Sequence, residues 1–188
     1  HSMLPSTRLF QGSFADADLL IADNFASACK KNNVQQIIYL GGLMPTGDVS
    51  KHLASRQEVE EVFKATGIPY TIFRAGMVAG KGGSSFEILR NLVKNLPGMI
   101  LPKWTQAKTQ VIYIDDLVRL LRTAVMNKAF FNQTIDAVNG ESLNYENLIR
   151  TTCQALGKKP VLFRVPINST KFSKLWVSLF GKTHYELA

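Results

Sequence analysis

Helices and strands alternate over residues 16–74, and a looser mixture of short strands and helices follows from about Gly80. This order predicts an α/β protein: an open, doubly wound parallel sheet with a smaller C-terminal α+β lobe. Two features of the first half carry the parallel sheet. Of the strand-forming runs at 36–40 and 70–74, the first is apolar without alternation, as in a strand buried on both faces. Each follows a helix-length segment with apolar residues at helical spacing, so consecutive strands join through right-handed crossovers.

Taken in order, residues 16–31 predict a helix with Leu19, Ala22, Ala26 and Cys29 on one stripe. Val34 and the run 36–40 predict a strand bounded by Asn32-Asn33 and by Gly41-Gly42. A loop over 41–49 holds Pro45 and Gly47. Ser50 then caps a helix over 51–66, which Gly67 stops. The strand 70–74 follows Ile68-Pro69. Residues 75–83 read as a glycine-rich loop, and Ser84 with Glu87 three residues on forms a capping box for a helix over 85–96. A strand over 111–114 leads into a helix over 116–127, capped by Asp115 and buried through Leu117, Leu120, Leu121 and Ala124. A strand over 134–137, a helix from Asn144 to Gly157, a strand over 161–165 and an amphipathic helix over 168–180 complete the order.

Composition narrows the function classes. The chain has 188 residues, 46% of them hydrophobic and 19% charged, enough apolar material for a core. No apolar run is long enough to span a membrane, and no basic-then-apolar signal segment opens the chain. The net charge of +8 is spread along the sequence, with Lys30-Lys31 and Lys158-Lys159 as the only doublets. There is no basic stripe interleaved with aromatics, so nucleic-acid binding is not expected. Lys171, Lys174 and Lys182 around the last predicted helix permit a subunit or membrane-surface contact. Cys29 and Cys153 lack metal-ligand spacing and read as small buried hydrophobes, which fits a reducing, cytoplasmic setting.

Ligands of open α/β sheets bind beyond the carboxyl ends of the strands. Two such ends are visible: Gly41, Gly42 and Leu43 after the first strand, and Ala75, Gly76, Met77 and Val78 after the second. Glycine there lets a flat ligand approach the backbone; the plainer reading is a tight turn. On the helix between them, stepping back from Val59 and Phe63 reaches Arg56 and His52, one turn apart on the inward face. Histidine moves protons near neutral pH and arginine grips phosphate or carboxylate; the plainer reading leaves both solvated. The segment from Gly80 to Ser85 precedes a helix start and can hold an anion, though it lacks Walker spacing and reads equally well as a hinge. Asp115-Asp116 is better explained by capping than by acid–base work. Lys103-Trp104 and the aromatic residues of 176–180 read as core of the smaller lobe.

The segments Ile37-Ile38-Tyr39-Leu40-Gly41-Gly42, 50–59, 70–76 and 111–117 with its Asp115-Asp116 resemble the short-chain dehydrogenase/reductase superfamily. The branch is the extended or atypical one, NmrA-like and nucleoside-diphosphate-sugar epimerase-like. The resemblance extends through 136–145 and Val165-Pro166 over nearly the whole chain. It implies a Rossmann-like doubly wound sheet, with residues 1–80 as the later portion of an NAD(P)-binding domain. Residues 81–188 would be mostly a substrate lobe, with elements returning to the first domain. The implied cofactor is NADP or NAD and the implied partner a small-molecule substrate, with room for a homo-oligomer. The strand ends and the helix between them supply the expected cofactor contacts, Gly41, Gly42, Leu43, Arg56, Ala75, Gly76, Met77 and Val78, and the catalytic candidates, His52 and Arg56, whose roles the resemblance does not secure; no metal is expected.

The sequence departs from that pattern twice. The family's catalytic Tyr and Lys, four apart, are replaced by His52 and Arg56, and its strand-end Ser or Thr by Gly41-Gly42. The glycine-rich loop that receives the pyrophosphate is absent from these residues, which therefore read as the later portion of a longer protein. An oxidoreductase or epimerase acting on a small carbonyl or sugar-nucleotide-like substrate is one expectation. A non-catalytic NAD(P)H sensor is the alternative.

Overall fold

The structure is a computed structural model that describes residues 14–44, 51–81, 84–95, 98–140, 142–159 and 161–165. Helix α1 (Phe14–Lys31) leads to strand β1 (Ile37–Gly42), helix α2 (Lys51–Lys64) and strand β2 (Tyr70–Ala75). Next come β3 (Met77–Ala79), α3 (Ser84–Asn95), β4 (Gly98–Leu101), β5 (Lys108–Thr109) and β6 (Val111–Tyr113). The chain continues through α4 (Ile114–Ala124), β7 (Gln133–Ala137), β8 (Leu143–Asn144), α5 (Tyr145–Ala155) and β9 (Val161–Arg164). Short 3-10 turns occupy Lys103–Gln106 and Lys128–Phe130. The mixed α/β character and the parallel pairing agree with the class expected from the sequence.

The chain divides into two compact units: residues 1–75 with 116–137, and residues 76–115 with 138–188. In the first, β1, β2 and β7 form a parallel sheet in that order. Helices α1 and α2 pack on one face, where Ala22, Ala26, Cys29, Ile37, Tyr39, Val59, Phe63 and Ile72 make a core. The apolar stripe expected on α1 thus has its place. The opposite face is knitted by side chains: the Gln36 amide donates to the Ala124 carbonyl at 2.9 Å, and the Thr71 hydroxyl donates to the Phe130 carbonyl at 2.9 Å. Strand β2 is buried on both faces, with Thr71, Ile72 and Phe73 all fully covered. Gly67, at φ +76°, ends the turn after α2 in the left-handed region, as expected.

In the second unit, three two-stranded pairings occur: β3–β6 and β4–β9 parallel, β5–β8 antiparallel. Helices α3 and α5 cover a core of Met77, Leu89, Leu92, Val93, Met99, Leu101, Leu148, Ile149 and Cys153. The Asn144 side chain accepts from the Asn147 N–H and starts α5 at the expected residue.

The structure corrects several expectations. Gly41 and Gly42 lie inside β1, paired with Arg74 and Ala75, and not in a loop beyond it. Val34 stands outside the strand and is exposed, and β1 is covered on one face more than on the other, with Leu40 39% exposed. Asp115 is the second residue of α4 and does not cap it. Residues 77–79, read as loop, are a strand because Val111–Tyr113 supply a partner. The loop residues 45–50, the predicted last helix at 168–180, Pro166 and the Trp104 side chain lie outside the described residues.

Candidate functional site at the carboxyl edge of the first sheet

Three parallel strands bring their carboxyl ends to one edge. Gly42 of β1 registers with Ala75 of β2, which registers with Ala137 of β7. The Leu43 N–H donates to the Ala75 carbonyl at 2.9 Å and holds the chain against β2 as it leaves the sheet. Gly41, Gly42 and Leu43 are partly exposed; Ala75 is buried. Helix α2 lies close to this end. A side-chain carbon on Gly42 would stand 2.6 Å from Leu53 Cδ2, and one on Gly41 3.0 Å from Glu60 Oε1. The glycines therefore admit α2 to the strand end.

Two turns further along α2 from Leu53, Glu60 is fully buried and Arg74 clamps it. Arg74 Nε donates to Oε1 at 3.1 Å and to Oε2 at 3.2 Å, and Nη2 donates to Oε2 at 2.6 Å. These bonds to the carboxylate push the guanidinium pKa up, against the opposing effect of burial. Arg74 registers with Asp136 of β7, whose charge adds to the effect.

Arg56 sits one turn before Glu60 and reaches a second buried carboxylate. Its Nε is 3.9 Å from Oδ2 of Asp18 on α1, and the Ser55 hydroxyl donates to the same oxygen at 3.2 Å. The Tyr39 hydroxyl is buried nearby with no hydrogen-bond partner among the described residues. Burial raises its pKa, and the Arg56 guanidinium beside it pulls it back, first as a donor close to the hydroxyl, outside strict hydrogen-bond geometry, and then by its charge. Arg56 and Tyr39 both line a cavity of about 750 Å³ within this unit.

Of the residues singled out from the sequence, the structure gathers Gly41, Gly42, Leu43 and Ala75 at one edge, with Arg56 on the helix beside it. His52 is the second residue of α2; its side chain lies outside the described residues. Gly76 begins the second unit, where a side-chain carbon on it would stand 2.3 Å from the Gln110 carbonyl oxygen. Met77 is buried in the second unit's core, and Val78 pairs with Ile112 of β6. That unit has its own cavity of about 450 Å³, lined by Lys81, Arg90, Phe86 and Tyr113 among others. Among the described residues, no cluster of His, Cys, Asp or Glu could hold a metal ion.

Sequence reasoning passed over Asp18, Tyr39, Ser55, Glu60 and Arg74 as a polar network. For Glu60 a signal existed: it shares the inward stripe of α2 with Arg56, Val59 and Phe63. In the second unit it passed over Glu146, which is buried and accepts from Arg150, Arg164 and Gln106. The two arginines, Arg164 first, hold its carboxyl at about 2.

No family model and no curated protein matches the chain. Solved structures do. An NAD-dependent NDP-hexosamine 5,6-dehydratase of tunicamycin biosynthesis, TunA, aligns over 87% of this chain and 62% of its own, at 17% identity and a TM-score of 0.65. UDP-glucose 4-epimerase of Thermus thermophilus, solved with NAD, aligns over 92% of this chain and 71% of its own, at 16% identity and a TM-score of 0.59. The Bordetella bronchiseptica enzyme WbmG, also solved with NAD, aligns over 87% and 58%, at 13% identity and a TM-score of 0.65. This chain thus spans about three fifths of the length of the first and third of these. At such identities the likeness is one of architecture: the chain shares a Rossmann-like α/β fold with these enzymes.

Proposed function

We propose that the protein binds NAD or NADP and acts as an atypical oxidoreductase or epimerase on a small carbonyl or sugar-nucleotide-like substrate. The observation that supports this most is the parallel β1–β2–β7 sheet, with Gly41, Gly42 and Ala75 at its carboxyl edge. Open α/β sheets take their ligands at that edge, and the similar folds include enzymes solved with NAD. In this reading the cofactor supplies hydride transfer. The chain's own residues at the carboxyl edge of the first unit's sheet shape the nicotinamide end: Gly41 and Gly42 of β1, Leu43 just after it, and Ala75 of β2. Arg56 offers positive charge to a ribose or phosphate, and His52 is the proton donor. The second unit is the substrate lobe, and its Lys81 and Arg90 favour an anionic substrate.

The experiment is a titration of the whole gene product with NADH and NADPH, followed by turnover against a panel of carbonyl compounds and sugar nucleotides. Binding with turnover supports the enzyme, and His52→Ala then abolishes turnover while leaving binding within about twofold. An unchanged rate removes His52 from the site. Absence of binding overturns the cofactor reading. A second reading, a non-catalytic NAD(P)H sensor, is favoured by His52 and Arg56 standing where the related enzymes carry Tyr and Lys. Binding without turnover supports it.

A further inference from the structure

Strands β4 and β9 of the second unit pair in parallel, Gly98 with Val161, Met99 with Leu162, Ile100 with Phe163 and Leu101 with Arg164. Successive side chains of a strand point to opposite faces. Met99, Leu101 and Leu162 turn to the unit's core, and Arg164 turns the same way to reach Glu146. Gly98, Ile100, Val161 and Phe163 therefore share the other face. None of the four is polar, and Val161 and Phe163 are 56% and 59% exposed. Parallel strands normally have both faces covered, so an open apolar face on such a pair marks a contact surface.

Charge selects the partner. The second unit holds twelve Lys and Arg against five Asp and Glu, which is +7 of the chain's net +8. Lys158 and Lys159 are exposed just ahead of β9, and the Lys158 ammonium donates to the carbonyl of Lys94, which is itself exposed. Lys103 is exposed just after β4. The sequence has no carboxylate between Glu87 and Asp115. From 147 to 185 it has seven Lys and Arg and again no carboxylate. Glu146, the acid that Arg164 reaches, is buried and shared by two arginines.

We propose that the outer face of β4 and β9, with Lys94, Lys103, Lys158 and Lys159 around it, docks the protein on an anionic lipid surface. Val161 and Phe163 enter the headgroup boundary, and the lysines meet the lipid charges. Apolar side chains ringed by cations, with no acid to repel the surface, are what such a membrane takes up. Of the four residues on the face only Phe163 could stack on a base, so nucleic acid is the poorer fit. The contact is peripheral, and it does not rest on the cofactor reading.

Co-sedimentation of the whole gene product with lipid vesicles tests it. Binding is expected to vesicles of phosphatidylcholine with phosphatidylserine, weakening as salt rises, and not to phosphatidylcholine alone. Lys158→Gln with Lys159→Gln weakens that binding about twentyfold. Val161→Thr with Phe163→Thr keeps residues that suit a strand and weakens it about tenfold. No binding to the phosphatidylserine vesicles overturns the proposal, and so does binding indifferent to either pair of substitutions. Binding lost with the lysines but kept without Phe163, and competed away by RNA, assigns the face to a polyanion. A concentration-dependent dimer that Phe163→Thr dissociates, without vesicle binding, assigns it to a second copy. Both outcomes overturn the membrane contact.

Discussion

Glu60 and Arg74 show how much one buried charge depends on its partner. Glu60 is fully buried, and Arg74 supplies three donor contacts. Arg74→Met leaves the carboxylate uncompensated and costs about 3–5 kcal/mol in urea unfolding. Arg74→Met combined with Glu60→Leu recovers most of that loss; simple additivity would show that the pair does not couple. Glu146 sets a pH dependence. Its carboxyl is pulled to about 2 from an ordinary 4.5, so the folded pKa is the lower one. Its stabilisation is complete above 4.5 and is lost as pH falls through about 2. Glu146→Gln should flatten stability between those values, measured as urea midpoints across an acid series. Neither residue was legible as a buried charge in the sequence. A glutamate on a helix signals a solvated face until its arginine arrives, from 14 residues away for Arg74 and 18 for Arg164.

At the scale of elements, local signals placed the long helices and the buried strands well. The Asn144 cap and the stop at Gly67 depend on neighbours in sequence, so they could be read there. Strands β3, β4, β5 and β8 could not. Each exists because a distant segment pairs with it. Gly41-Gly42 was misread for a related reason. Glycine usually marks a turn, but here it continues β1 so that α2 can approach. Gly42→Ala therefore forces Leu53 aside and lowers the urea midpoint, and adding Leu53→Ala restores part of it. A single substitution without effect would show that the approach is looser. Gly76→Ala meets a backbone carbonyl at 2.3 Å, which moves less readily than a side-chain methyl. It should destabilise more than Gly42→Ala in the same assay.

At the scale of the whole molecule, a dinucleotide that binds only the folded state raises its stability by mass action. At about a hundred times Kd the gain is about 2.7 kcal/mol. A shift in the thermal midpoint with NADH or NADPH, absent with nicotinamide alone, would support the cofactor reading; no shift with either would count against it. The sequence by itself determined the class and the order of the helices and longer strands, because apolar spacing, caps and helix stops act over a few residues. It also placed Arg56 on the inward stripe of α2. Only the tertiary structure decided which strands pair, that Arg56 reaches Asp18, that Glu60 and Glu146 are buried charges, and that β1 lines a cavity. Those features depend on residues far apart in the chain meeting across a sheet or a core, and a local pattern does not encode its distant partner.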